Sequence, residues 1–233
     1  MPEIFSDMIY LVTSYWPYFL RGTRNTIVLA LLAVVGGCLA GLIVALLRMS
    51  KNRVVSSVAR AYIAVFRGTP MIVQLWIFYL QLTKLMSFPE GMFLGMDLTR
   101  LLPCLIALSL NSGAYVAEIL RAGIQAVDIG QMEAARSIGM PASMAMKEIV
   151  LPQAIKNILP AICNEFITLV KETAIIQYLG VADLMYSMNA VKTITYKILP
   201  NYYIVGVIYF VLNFLAGRGV SIIERRMNRN DQR

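Results

Sequence analysis

Histidine is absent from this sequence, and cysteine occurs only three times. Without histidine, neither a His-containing metal site nor a His-based catalytic pair can form, and the spacings of Ser, Lys, Asp and Glu suggest no other catalytic set. Cys38, Cys104 and Cys163 each lie in an apolar run, which favours neither a disulfide framework nor a metal site. The phosphate-binding pattern Gly-x-x-x-x-Gly-Lys-Ser/Thr is also missing, so we expect no enzyme activity and no cofactor in this chain.

Charged residues are scarce as well, at 15% of the 233 residues, whereas hydrophobic residues make up 58%. Uncharged runs as long as residues 27–47 suit a bilayer, because about 20 helical residues cross its hydrocarbon layer. The net charge of +8 would suit nucleic acid, but the basic residues lie at the ends of the apolar runs. Anionic lipid and membrane topology explain that placement better. We therefore predict an all-α membrane protein that does not bind nucleic acid.

The apolar runs predict five transmembrane helices in a single domain that covers residues 1–233. The spans are expected at about residues 27–47, 61–82, 101–120, 155–179 and 202–223. Residues 1–20 are amphipathic and lack the basic start and cleavage site of a signal peptide, so they predict an interfacial helix lying on the membrane. Asp7 and Pro17 argue against an additional short span there. In the first span, Gly37 and Gly41 predict the close approach of another helix.

Most of the 21 Lys and Arg residues fall on one side of the membrane if the chain crosses it five times. That side includes the basic residues of 48–60, 121–156 and 218–233. The positive-inside rule then places residues 128–152 and the C-terminus in the cytoplasm, and the N-terminus outside.

Several polar residues fall inside the predicted spans, where a charge without a partner is costly. Arg67 either faces a cavity or extends its guanidinium to the cytoplasmic headgroups, and the sequence leaves both open. A polar stripe at three- and four-residue steps along one helix is made of Asn111, Ser112, Tyr115 and Glu118. The stripe predicts interhelical hydrogen bonds or an aqueous path. For Glu118, pairing with Arg121 or Arg67 is the alternative to a substrate role.

The predicted span 155–179 contains Glu165 and the adjacent residues Lys171, Glu172 and Thr173. A neighbouring cation, anion and hydroxyl suit the two ends of a zwitterion. The competing interpretation is that the helix ends at Val170 and that these residues are solvated outside the membrane. We favour the functional interpretation because ionisable residues inside a membrane are functional by default.

A more polar island, residues 128–152, separates two apolar runs. Asp128 and Gln131 are spaced as a helix N-cap and its reciprocal partner, and Gly139 suits the left-handed conformation that ends a helix. A second helix is expected to follow and to be interrupted at Pro152. The island predicts two short helices on the water-facing side, and we name it the helical knob.

Within the knob, the spaced set Glu133-Ala134-Ala135, Gly139, Ile149 and Leu151-Pro152 resembles the EAA loop of ABC-importer permeases. The resemblance implies the type I importer permease fold and a coupling helix that docks into a groove on a separate ATPase subunit. The residues it implies for coupling to the ATPase are Glu133, Ala134, Ala135, Ile138, Gly139 and Met140. An ordinary cytoplasmic loop helix is the alternative.

Three further runs make the similarity closer: Phe66 to Pro70 with Gln74-Leu75, Asn111 to Tyr115 with Glu118, and Lys171 to Thr173. With the loop, they resemble the polar amino-acid permeases of bacterial ABC importers over residues 22–226. The resemblance implies a second permease subunit (identical or related), a pair of ATPase subunits that hold ATP and Mg²⁺, and an extracytoplasmic solute-binding protein.

The resemblance also implies a translocation site. By position, its candidates are Arg67, Thr69, Lys171, Glu172 and Thr173. The polar-stripe residues Asn111, Tyr115 and Glu118 are further candidates for the substrate pathway. Many relatives have Lys-Asp-Thr-Ser where this chain has Lys171-Glu172-Thr173-Ala174, a departure that bears on which substrate is carried.

These observations predict the permease subunit of an ATP-driven importer that carries a polar amino acid across the bacterial inner membrane. An importer for a small peptide or an osmolyte is one alternative. A self-contained secondary transporter is another, although five spans are few for two repeated halves and no internal repeat is visible.

Overall fold

The computed structural model describes residues 2–228. Met1 and residues 229–233, which belong to the predicted domain 1–233 and include its predicted cytoplasmic C-terminus, lie outside the described residues. The helices are α1 (Pro2–Arg48), α2 (Arg53–Gly68), α3 (Met71–Leu85), α4 (Leu98–Gln125), α5 (Ile129–Ser137), α6 (Ala142–Ala145), α7 (Leu151–Glu172), α8 (Leu184–Thr195) and α9 (Ile198–Asn228). Two short strands, β1 (Met92–Phe93) and β2 (Met96–Asp97), form an antiparallel hairpin before α4.

Helices α1 and α4 pack closely because small residues lie along their contact. A Cβ atom added to Gly37 would lie 2.5 Å from Ser112 Oγ, and one added to Gly41 would lie 2.7 Å from Val116. The close helix approach predicted at these two glycines is confirmed.

The main core forms where α3, α7 and the segment after α7 close over this helix pair. Its fully buried side chains include Leu29, Leu75, Leu108, Leu169 and Ile176. Large apolar side chains on the outer faces remain exposed, such as Leu39 at 64% and Phe210 at 69%. An apolar outer surface of this kind suits contact with lipid chains.

The segment predicted as a separate interfacial helix is joined to the first predicted span without a loop. Residues Pro2–Arg48 form two helical segments that meet at a kink at Tyr15, where φ is −121° and ψ is 16°. The bend lies two residues before Pro17, which cannot donate a backbone hydrogen bond and whose ring crowds the preceding turn. Leu11 and Phe19 are buried against α8 and α9, so tertiary contacts hold the helix on both sides of the bend. Its position at the membrane surface stays a prediction.

The second predicted span, residues 61–82, is not one straight helix. The axes of α2 and α3 differ by 116°, and the two linking residues, Thr69 and Pro70, both have extended backbone conformations. A proline disfavours helical conformation in the residue before it, so the chain changes direction there.

The helix that corresponds to the fourth predicted span, residues 155–179, does not begin and end at the predicted residues. Helix α7 starts at Leu151, and a 3₁₀ helix extends it to Leu179, so the helix does not end at Val170. Pro152 does not interrupt the second knob helix either, and that prediction is wrong. A π-helical turn, Met146–Val150, joins α6 to α7. Its wider backbone leaves room for the proline ring in the first turn of α7.

Three described helices are long and apolar enough to cross a membrane, namely α1, α4 and α9. The bent pair α2–α3 makes a fourth if it counts as one crossing. Helix α7 is less apolar because Lys156, Asn157, Asn164 and Glu165 interrupt it. The five spans therefore stay a prediction.

At the end of the molecule opposite the knob, α1 contacts the start of α8. Asn25 Nδ2 donates to Ala182 O at 2.7 Å, and a Cβ atom on Gly22 would lie 2.7 Å from Leu184 Cα. Asp183 caps α8 by accepting a backbone N–H. Burial raises the pKa of its carboxyl to about 7, because the charged form is poorly solvated there.

The contact between Gly22 and Leu184 generates a testable prediction. Gly22→Ala should destabilise the protein by about 1–3 kcal/mol, because the added methyl meets backbone that must shift. Gly206→Ala is the matched control, since that helical glycine has no neighbour within 4 Å of an added Cβ. We expect it to be neutral or slightly stabilising. Thermal unfolding in detergent micelles measures both, and equal midpoints for the two variants would contradict the packing argument.

Candidate functional site

The carboxylate of Glu118 lies at the centre of three arginines. Arg48 Nη1 is 2.7 Å from Glu118 Oε1, Arg121 Nε is 2.6 Å from Oε2, and Arg67 Nη1 is 3.8 Å from Oε1. The side chain of Glu118 is 18% exposed. Glu118 therefore pairs with both partners that the sequence suggested, Arg121 and Arg67, and also with Arg48, which the sequence did not suggest. We name these four residues the Glu118 cluster.

Arg67 faces a cavity, which is the first of its two predicted alternatives. The cavity has a volume of about 270 Å³ and lies between α2, α4 and the end of α1. It is lined by Arg48, Arg60, Ile63, Ala64, Arg67 and Glu118. The Arg67 guanidinium also lies 5.4 Å from the ring centre of Tyr115, within the range of a cation–π contact. Arg67, Tyr115 and Glu118 of the predicted pathway thus come together.

The buried side chain of Gln74, which is 5% exposed, bridges the break between α2 and α3 by hydrogen bonds. Its Nε2 donates to Phe66 O at 2.8 Å and to Thr69 Oγ1 at 2.7 Å, and its Oε1 accepts a hydrogen bond from Asn111 Nδ2 at 2.7 Å. These bonds satisfy polar groups that the end of α2 leaves without helical partners. Thr69 and Asn111 therefore meet at the break, and both take part in fixing its shape.

The predicted group on α7 does not form one compact site. Lys171 is exposed, Glu172 is half-buried, and within the described residues no ion pair joins them. Adjacent residues on a helix point in different directions, which accounts for the separation. Thr173 is buried and donates its hydroxyl to Val170 O at 3.0 Å. Deeper along the same helix, Glu165 is 8% exposed and accepts a hydrogen bond from Ser112 Oγ at 2.8 Å.

The knob has the shape that its sequence predicts at its start and at its break. Asp128 caps α5 by accepting a backbone N–H at 2.9 Å. Gly139 has φ of +88°, and Met140 N donates to Ala135 O at 3.1 Å, the bond that closes a helix end of this type. Gln131 does not complete the reciprocal cap, because its side chain meets a glutamine of α7 instead.

The predicted coupling residues divide into one anchor and an exposed group. Ala135 is 6% exposed and fixes α5 to the rest of the knob. Ile138 is 81% exposed, and Glu133, Ala134 and Gly139 are also exposed. Met140 is half-buried. The knob thus presents a large apolar side chain at the end of a rigid polar projection.

Three residues of these clusters are absent from the sequence-based site prediction. Arg48 is separated from Glu118 by 70 positions, and no sequence signal gives the register between two helices. Gln74 contributed only to the resemblance, although its position just after a broken helix was an available signal. Glu165 was noted as an interruption of its span, and a lone acid at that depth marks a polar contact.

Comparison with known proteins gives a consistent family assignment. Residues 37–229 match the sequence profile of a family described as "binding-protein-dependent transport system inner membrane component". The arginine transport system permease protein ArtQ of Bacillus subtilis is 40% identical over 92% of this chain and 94% of its own length. The putative glutamine transport system permease protein GlnP of Rickettsia felis is also 40% identical, over 90% of this chain and 93% of its own.

Solved structures agree with these relatives. A crystal structure of an amino acid ABC transporter with histidines superposes with a TM-score of 0.84 at 45% identity, over 92% of this chain and 96% of that one. The methionine ABC transporter MetNI, in an inward-facing conformation, superposes with a TM-score of 0.72 at 18% identity, over 90% of this chain and 96% of that one. The second similarity concerns the fold alone.

Gln74 provides a test of the site geometry. Gln74→Leu should cost about 1–3 kcal/mol for each buried group it leaves unpaired, because Phe66 O and Asn111 Nδ2 lose their partner. Gln81→Leu makes the same change at an exposed position of the same helix, and we expect it to alter stability little. Denaturant unfolding of both variants in detergent compares them. Equal losses of stability would mean that Gln74 does not hold the break.

Proposed function

The chain belongs to the family of binding-protein-dependent transport system inner membrane components, and we propose that it is the membrane subunit of an ATP-driven importer for a polar amino acid. Curated relatives at 40% identity are permease proteins for arginine and, putatively, glutamine. A solved neighbour at 45% identity is an amino acid ABC transporter. These names support the substrate class, and the all-helical fold is that of type I importer permeases.

The exposed end of the knob is the observation that carries the proposed coupling to an ATPase. Ile138 is 81% exposed next to a left-handed Gly139, and a large apolar side chain in that setting fits a groove on another protein. In this proposal the partner ATPase holds the ATP and Mg²⁺, and the knob follows its movement. Glu133 and Ala134, which are exposed on the same short helix, would complete the contact.

Movement of the knob would be transmitted to two long helices. Helix α5 follows α4 after a short turn, and α6 runs into α7 through the π-helical turn. A Cβ atom on Gly123 would collide with the Ile158 side chain, so α4 and α7 touch closely beside the knob. The pair therefore carries the polar stripe and Glu165 as one unit, which is the rigid-body motion that alternating access requires.

The charged groups near the helix breaks support a zwitterionic substrate. Arg67 is 45% exposed on the cavity beside Glu118, and the planar N–H groups of its guanidinium suit a carboxylate. Exposed Lys171 and half-buried Glu172 lie at the end of α7. We propose that these residues, with Thr69, Asn111, Tyr115 and Thr173 as support, contribute to the substrate pathway.

The proposed complex contains two permease subunits (identical or related), two ATPase subunits and an extracytoplasmic solute-binding protein. Five crossings with the knob and C-terminus in the cytoplasm fit the charge distribution. The helix directions agree with that arrangement, because the ends of α1 and α4 meet through Arg48 and Glu118 on the knob side.

Coupling is testable in the reconstituted importer. Glu133→Arg and Gly139→Pro should uncouple ATP hydrolysis from uptake while the chain still inserts, because one reverses an exposed charge and the other cannot adopt the φ of +88°. Uptake and phosphate release are measured together. Glu224→Arg is the matched control, as an exposed acid of α9 on the same proposed side, and it should behave like the unmodified protein. Unchanged uptake in both knob variants would contradict the proposal.

The substrate role of the α7 residues has its own test. Lys171→Ala and Glu172→Ala should each lower transport of a zwitterionic amino acid by roughly tenfold or more, the loss expected when one charge-assisted hydrogen bond is removed. Lys84→Ala removes an exposed lysine from the end of α3 and should leave uptake unchanged. Uptake kinetics over a range of substrate concentrations distinguish the variants, and identical kinetics for all three would exclude this role.

A further inference from the structure

A second cavity lies on the other side of the Glu118 cluster, between the knob-side ends of α1 and α4. Its volume is about 360 Å³. Apolar side chains from both helices form most of its wall, including Ala45, Ala117, Leu120 and Ile124, and Arg48 and Arg121 also line it. The cavity thus combines an apolar wall with two cations.

The Glu118 cluster, which supplies the two arginines of this cavity, is only partly neutralised within the described chain. Arg48, Arg67 and Arg121 share one carboxylate, that of Glu118, which leaves an excess of two positive charges. Arg48 donates one side-chain N–H to Glu118, and Arg121 donates one to Glu118 and another to Gln125. A guanidinium has five N–H donors, so the others remain available to an acceptor that the described residues do not supply. An anion in this cavity would satisfy them.

The apolar wall continues onto the outer surface of the protein. Leu42 lies one turn before Ala45 on the same face of α1, and it is 50% exposed. A molecule in the cavity can therefore reach the hydrocarbon layer along this face. A free phosphate or nucleotide would leave the apolar wall uncovered, whereas an acyl chain would cover it.

We propose that this cavity binds an anionic phospholipid of the cytoplasmic leaflet, with its phosphate on Arg48 and Arg121 and one acyl chain along Ala45 and Leu120. Basic pockets between membrane helices on the cytoplasmic side bind such headgroups. The choice of leaflet rests on the orientation given under the proposed function. The lipid would bridge α1 and α4 beside Glu118 and reduce the excess positive charge.

Lipid binding can be measured directly, without transport, so its outcome is separate from that of the importer proposal. The full chain is purified in a delipidating detergent and titrated with phosphatidylglycerol or with phosphatidylcholine of the same acyl chains. Native mass spectrometry then gives the affinities. We expect phosphatidylglycerol to bind about fivefold or more tightly, which is the contribution of one arginine near a membrane surface.

Two variants examine the two halves of the site. Arg121→Gln should abolish the preference for phosphatidylglycerol, while Arg53→Gln, which removes an exposed charge of α2 outside the cavity, should keep it. Ala45→Phe retains every charge but fills the apolar wall, and it should weaken binding of both lipids. Folding of Arg121→Gln is judged by its helical content and gel-filtration profile. If this variant fails to fold, the test rests on Ala45→Phe, and unchanged binding of both lipids by that variant would contradict the proposal.

Three results would overturn the proposal. One is equal affinity of the unmodified chain for the two lipids. Another is an equal loss of preference in Arg53→Gln and Arg121→Gln, which would indicate attraction to the whole basic surface. The third is displacement of phosphatidylglycerol by an equal concentration of inorganic phosphate with no effect of Ala45→Phe, which would assign the cavity to a free anion.

Discussion

The Glu118 carboxylate connects three helices, because Arg48 comes from α1, Arg67 from α2 and Glu118 itself from α4. In a membrane protein no bulk water compensates a charge that loses its partner, so such a contact fixes helix positions more strictly than an exposed ion pair does. The end of α1, the end of α2 and the knob side of α4 are consequently held at one point. The cavity that Arg67 faces lies on one side of that point, and the proposed lipid cavity lies on the other.

The position of α2 depends on a second constraint, the satisfaction of backbone groups at its broken end. A helix that stops inside the bilayer leaves carbonyl groups without partners, and lipid cannot supply them. Gln74 meets this need from the next helix by bonding to Phe66 O and Thr69, and Asn111 fixes the Gln74 side chain in turn. The broken helix is therefore a defined structure that brings Arg67 to Glu118.

Local signals in the sequence predict local structure well here. The cap at Asp128, the left-handed Gly139 and the close approach at Gly37 and Gly41 each depend on a few neighbouring residues, and each is present. The wrong predictions concern features that depend on contacts between distant residues. The bend of 116° between α2 and α3 follows from where Gln74 and Asn111 lie in space. Gly68 and Pro70 favour a break in the helix, but they do not determine its direction.

The prediction that Pro152 interrupts the second knob helix is wrong for a related reason. Pro152 is tolerated because a π-helical turn precedes it. The contact between Arg48 and Glu118 spans 70 positions, so it requires the register of α1 against α4. That register comes from glycine packing along the whole helix pair.

The continuity through Pro152 matters for how force would reach the pathway. A flexible loop after α6 would let the knob turn without moving α7, and the movement of a partner subunit would be lost. The π-helical turn instead keeps the backbone helical from Ala142 to Glu172. At Gly123, α4 packs closely against Ile158 of α7. A displacement at Ile138 must then move both helices or break their contact. Because cores are close-packed and deform little, moving both is the less costly response. Glu118 lies on one of these helices and Glu165 on the other, so the same displacement acts on the polar contacts of both residues.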